Sequence, residues 1–82
     1  MWKYEVEVKG MMCGMCEAHA NDAIRNNFKV KKVTADRNAN LVTIIAEDEL
    51  DETKITETIT GLGYDAGAIT KTPYKKKFLG LF

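Results

Sequence analysis

With 82 residues, the chain has room for one domain and a modest core, because chains near this size bury only about 60 to 65% of their unfolded surface. Its 12 basic and 12 acidic residues cancel to a formal net charge of zero, which gives no global reason to expect nucleic acid or an anionic membrane as partner. The stretch after Met1 has no apolar run fit for a signal peptide or a spanning helix, so a cytoplasmic setting, where free thiols stay reduced, is the expectation.

Trp2, Tyr4, Val6 and Val8 alternate with Lys3, Glu5, Glu7 and Lys9. That period predicts a strand with one apolar face, in an antiparallel sheet covered on one side. The alternation stops at Gly10-Met11-Met12-Cys13-Gly14-Met15-Cys16, and a helical pattern takes over from Glu17. Both cysteines of the chain fall in this loop. A helix start leaves backbone N–H groups unpaired and carries partial positive charge, which favours thiolate over thiol. Cys16 is therefore expected to have a depressed pKa, and thiolate is the form that binds metal. Gly10 and Gly14 supply the backbone freedom to aim both sulfurs the same way. Two thiolates suit a soft ion content with few ligands, Cu(I) first among the common biological metals. A closed zinc site wants four ligands, more than two Cys and one His offer in a monomer.

Downstream, Ala20, Ala23, Ile24 and Phe28 share one face of a helix expected from Cys16 to Phe28, with Asn26 or Asn27 as the left-handed residue at its end. Val30 to Asp36 and Leu41 to Glu47 read as strands, with Val42 and Ile44 on one face and Thr43 on the other. Arg37-Asn38-Ala39-Asn40 between them suits a hairpin. Asp51 can cap a second helix, Leu50 and Ile55 can staple it, and Ile55, Ile59 and Leu62 continue its apolar face. Gly61 and Gly63 end that helix, and Asp65 to Thr70 forms a last strand. The order predicts an α+β fold, the ferredoxin-like βαββαβ arrangement: an antiparallel four-stranded sheet with two helices on one face. This domain is expected over residues 1–72. Residues 73–82 form a basic and apolar tail, read as a solvated terminus or as a weak membrane-surface or protein-docking peptide.

Gly10, Met11, Met12, Cys13, Gly14, Met15 and Cys16 fill the motif Gly-Met-X-Cys-X-X-Cys without a gap. On this motif the chain resembles the heavy-metal-associated domain of copper chaperones and of the N-terminal modules of copper-transporting P-type ATPases. Val30, Val33 and Asp36 resemble the family's second-strand pattern, and Gly63-Tyr64-Asp65-Ala66 resembles the segment joining its second helix to its last strand. The likeness covers residues 2–70 and departs at Lys29, where many members have Gly. It implies that Cys13 and Cys16 are the metal ligands and that Met11 points into the core beneath the loop. It also implies that Tyr64 lies near the loop and shields it, beside the plainer reading of Tyr64 as ordinary packing.

Other residues carry paired readings. His19, one helical turn after Cys16, is either a third ligand or a solvated residue that at most tunes the thiolates. Met12 and Met15 are expected to be exposed, Met12 as a thioether ligand in principle and both as a contact surface for a partner's loop. The run Glu47-Asp48-Glu49-Leu50-Asp51-Glu52 is a solvated helix start or one half of a docking surface, set against Lys29, Lys31 and Lys32. The expected function is a Cu(I) metallochaperone, not an enzyme, delivering copper by thiolate exchange to a copper-transporting P-type ATPase or a copper regulator. A copper-bridged homodimer is expected at high loading. The competing readings are a carrier or regulatory domain for Hg, Zn or Cd, and a dithiol redox protein. Zinc-selective relatives tend to carry an acidic residue where Met12 stands, and no Trp-Cys-Gly-Pro-Cys-like context or thioredoxin element order is present.

Overall fold

The structure, a computed structural model, describes residues 1–74. Strand β1 (Trp2–Lys9) follows the alternation in the sequence: Tyr4, Val6 and Val8 are fully buried while Glu7 and Lys9 face solvent. Helix α1 (Gly14–Asn27) lays Ala20 and Ile24 on that buried face. Strands β2 (Lys32–Asp36) and β3 (Leu41–Ala46) form a hairpin, α2 (Glu52–Gly61) returns over the sheet, and β4 (Asp65–Pro73) completes it. The four strands lie in the order β2-β3-β1-β4 with every neighbouring pair antiparallel. This is the ferredoxin-like arrangement. It makes β1 a central strand, bonded on both sides, and the loop after Lys9 leaves directly from it.

Both helices cover the same face. Ile24 from α1 and Ile55 and Ile59 from α2 meet Tyr4, Val6, Val8, Val33, Val42 and Ile44 from the sheet in one core. Each fully buried side chain of this size contributes about 1.5 to 3 kcal/mol relative to exposure. Tyr4 puts a phenol into this apolar layer and satisfies it locally. Its hydroxyl accepts from the Leu50 N–H at 2.8 Å and donates to the Leu50 carbonyl at 3.4 Å. Among the described residues no buried side-chain polar atom is left without a partner.

The connections follow their local chemistry. Asn40 is left-handed (φ 54°) at the end of the β2–β3 hairpin, and the Asp36 carboxylate accepts from the Asn38 and Ala39 N–H groups. Asp51 caps α2, accepting from Thr53 at 2.9 Å and Lys54 at 3.3 Å, while Leu50 packs on the core that contains Ile55.

Several boundaries differ from the sequence reading. Helix α1 begins at Gly14, earlier than Cys16, because Cys13 takes the N-cap position with extended backbone. It ends without a left-handed residue at Asn26 or Asn27. The chain leaves through Phe28 in extended geometry (φ −139°, ψ 148°), and the Phe28 N–H donates to the Ile24 carbonyl. A β-region exit needs no glycine, which accounts for Lys29 in its place. Strand β2 starts at Lys32 and not at Val30, although the Lys31 N–H already donates to the Ile45 carbonyl at 2.7 Å. Leu62 does not extend the apolar face of α2. It follows Gly61 as the C-cap and is 38% exposed. Strand β4 runs past Thr70 to Pro73, paired along β1 to Trp2, and the Tyr74 N–H donates to the Met1 carbonyl. Proline is tolerated there because β4 is an edge strand. The basic and apolar run over residues 75–82 lies outside the described residues.

Candidate metal centre

The loop from Gly10 to Cys13 joins the central strand to the first turn of α1. Gly10 turns the chain with φ 107°, a conformation that side chains rarely adopt. Met11 then drops into the core at 6% exposure and anchors the loop from below, as the resemblance implied. Met12 and Met15 project outward at 83% and 68% exposure. These flexible thioether side chains stand in solvent on either side of the first thiol.

Cys13 is exposed and Cys16 half-buried, and both are free thiols. Their Sγ atoms lie 4.0 Å apart, with Cys13 donating to Cys16. A disulfide needs about 2.05 Å, so the pair is reduced. Taking a metal–thiolate bond of about 2.3 Å as a ruler, both sulfurs can reach a common ion at an angle of roughly 120°, and a small opening of the loop makes the site linear.

The backbone prepares this geometry. As N-cap, Cys13 uses its carbonyl to accept from the Cys16 N–H at 3.0 Å and from the Glu17 N–H at 3.3 Å, and its side chain makes no capping bond. The sulfur therefore stays available. Cys16 sits one turn in, where helix-start charge favours an anion. Its pKa is lowered from 9.0 to about 7. The Tyr64 hydroxyl is the largest influence, as hydrogen-bond donor to the charged sulfur, followed by backbone donors at Met12 and Cys13, while burial opposes the shift. The same contact raises the pKa of Tyr64, since a nearby thiolate disfavours phenolate. Tyr64 is half-buried and its ring faces Gly10 at the other end of the loop.

His19 is exposed on α1. Among the described residues no group of three or more His, Cys, Asp and Glu is arranged to hold an ion. The centre is a pair of sulfurs with a phenol behind it and methionines around it. Sequence reasoning did not single out Glu17 and Arg37. The Arg37 N–H, on the β2–β3 hairpin, donates to Glu17 Oε2 at 2.7 Å and ties that hairpin to the first turn of α1. No spacing in the sequence signals a contact that the fold creates.

The heavy-metal-associated domain family matches residues 5–65, a span that includes most of β1, the loop, both helices, β2 and β3. The chain belongs to the heavy-metal-associated domain family. No curated protein sequence matches it. Among solved structures, the CopZ metallochaperone superposes with a TM-score of 0.73 at 23% identity, over 79% of this chain and 98% of that one. A copper binding domain from HMA7, a P-type ATPase, gives 0.73 at 28% identity, over 82% and 92%. The N-terminal domain of ZntA in its Zn(II) form gives 0.72 at 20% identity, over 80% and 89%. A heavy-metal-associated domain is a metal-binding scaffold, and the structures this chain resembles include a metallochaperone and a domain of a P-type ATPase. No helix among the described residues of this one is long and apolar enough to cross a membrane.

Proposed function

We propose that this heavy-metal-associated domain is a Cu(I) metallochaperone, holding one ion between Cys13 and Cys16 and passing it on by thiolate exchange. The observation that carries the reading is the exposed sulfur pair, 4.0 Å apart at a helix start, with Cys16 already titrating near neutrality. Among the described residues no His, Asp or Glu joins the two sulfurs in a group of three, and a two-thiolate set favours Cu(I) over Zn(II), which prefers a fuller tetrahedral set. Met12 supports the same preference, because it stands where a carboxylate would supply a hard ligand. His19 and Met12 remain outside the ligand pair in this reading, and Tyr64 and Met11 support the loop.

Transfer needs no catalysis in the enzymatic sense. A thiolate from a partner adds to the two-coordinate ion, a three-coordinate intermediate forms, and one of the original metal–sulfur bonds breaks. The exposure of Cys13 gives the incoming sulfur an open approach. The partner proposed is a copper-transporting P-type ATPase carrying a similar loop, or a copper-responsive regulator, in the cytoplasm. The likeness to a P-type ATPase copper binding domain at 28% identity supports that choice. At high loading, two chains share one ion through four thiolates.

The deciding experiment is a competitive titration of the reduced protein with Cu(I) and Zn(II) against chromophoric chelators, with Cys13→Ser and Cys16→Ser as controls. One Cu(I) per chain, bound orders of magnitude more tightly than Zn(II) and lost in both variants, supports the reading. Equal Zn(II) affinity replaces it with a zinc carrier. Binding of neither metal, with ready cycling between dithiol and disulfide, replaces it with a redox protein.

A further inference from the structure

The loop from Gly10 to Cys16 contains no charged side chain of its own. The fold brings one to it. The Arg37 guanidinium reaches over the first turn of α1, so that a β-carbon on Gly14, between the two cysteines, would lie 3.8 Å from Nη1. Three restraints hold the hairpin that carries it. The Arg37 N–H is bonded to Glu17, the Asp36 carboxylate closes the turn, and the Val8 N–H donates to the Asn40 carbonyl at 2.9 Å. Among the described residues the guanidinium forms no ion pair, and Arg37 is exposed. Lys9, the other cation beside the loop, lies opposite Asp65 in the β1–β4 register.

This placement works against stability. A cation at a helix N-terminus opposes the helix dipole, where an anion would be favoured. It makes sense once the anions that visit the site are counted. A monovalent ion on two thiolates carries one net negative charge, and the three-thiolate intermediate carries two, so attraction to a fixed guanidinium grows as exchange proceeds. An incoming thiolate is itself anionic and approaches the same spot.

We propose that Arg37 is a positioning residue that draws anionic thiol ligands to the Cys13–Cys16 pair and steadies the charge that builds up during exchange. The inference rests on the carrier reading for its biological purpose, though the attraction itself can be measured without metal. In the exchange no electron changes hands. The incoming thiolate forms one metal–sulfur bond, the bond to Cys13 or Cys16 breaks, and the freed thiolate keeps its electron pair until it takes a proton from water. Gly14 puts no side chain between the guanidinium and the turn that carries the two cysteines.

The test compares alkylation of the reduced protein by iodoacetate, which is anionic, and by iodoacetamide, which is neutral. The ratio of the two rates cancels any change in thiolate fraction and isolates attraction of negative charge to the pair. Arg37→Gln keeps the backbone N–H that Glu17 holds, so the hairpin stays in place. The expected result is a fall in the iodoacetate to iodoacetamide ratio of roughly three- to fivefold at low salt, restored by Arg37→Lys and erased at about 1 M salt, where the Debye length is near 3 Å. On the Cu(I)-loaded protein, transfer to mercaptosuccinate should slow in Arg37→Gln by a similar factor, with transfer to uncharged mercaptoethanol changed less. An unchanged alkylation ratio overturns the proposal whatever the metal titration gives. A lowered ratio in a protein that binds no Cu(I) sustains the anion attraction and removes the carrier reading alone.

Discussion

Gly10 and Tyr64 touch across the mouth of the loop: a β-carbon on Gly10 would lie 3.4 Å from Tyr64 Cδ1 and 3.7 Å from its Cα. That is ordinary van der Waals contact, and it is the backbone, at φ 107°, that closes the position to side chains. Gly10→Ala should destabilise the fold by roughly 1 to 3 kcal/mol through backbone strain. Urea denaturation followed by Trp2 fluorescence measures this effect. A variant as stable as the parent would mean the loop relaxes freely.

The phenol on the other side of that contact tunes the thiol. Tyr64→Phe removes the strongest influence lowering the Cys16 pKa, so the titration of Cys16 should move upward from about 7 toward 9.0. The ultraviolet absorbance of thiolate against pH, in a Cys13→Ser background, reads this directly. An unmoved midpoint would assign the lowering to the backbone donors alone. The sign for folding follows from linkage. The folded value lies below that of a free thiol, so the contribution to stability is complete above the unfolded pKa and is lost as pH falls through about 7. Apparent metal affinity should decline over the same range as protons compete for the sulfur.

Helix α1 seals the edge of the sheet that β2 would otherwise expose. Glu17 and Asn21, one helical turn apart, accept from the Arg37 and Ala35 N–H groups at 2.7 and 2.9 Å. Asn21→Ala should cost about 1 kcal/mol and should speed hydrogen exchange at the Ala35 amide while leaving the central β1 amides protected. Equal exchange at Ala35 in both proteins would show that the bond is not maintained in solution. This pairing matches a helical repeat of four residues to a strand repeat of two, and no local pattern announces it.

Truncating the Asp51 side chain with Asp51→Ala removes the acceptor for the Thr53 and Lys54 N–H groups and should lower stability by about 1 kcal/mol. A smaller shift in the urea midpoint than Glu52→Ala produces would show that the first-turn charge, not the cap, stabilises the start of α2.

Much of this fold could be read from local chemistry. The β1 alternation, the Asn-rich hairpin and the Asp51 cap are signals written within a few residues, and each appears where the sequence put it. The start of α1 was not legible to the residue, because Cys13 occupies the N-cap without a capping side chain. Its end was not legible either, because an extended exit at Phe28 leaves no glycine or asparagine signature. At the loop, the motif singled out both thiols and the likeness over Gly63-Tyr64-Asp65-Ala66 pointed to Tyr64, whereas Arg37 and Glu17 meet only through the packing of α1 against the hairpin.

Met11 is the one residue of the loop that enters the core. The other buried residues of the core all lie in the strands and helices. A small zinc domain collapses when its ion is removed, because the ion supplies its folding free energy. Here the core is built from side chains of the sheet and helices, so emptying the thiol pair removes none of it and leaves the loop seated on a folded framework.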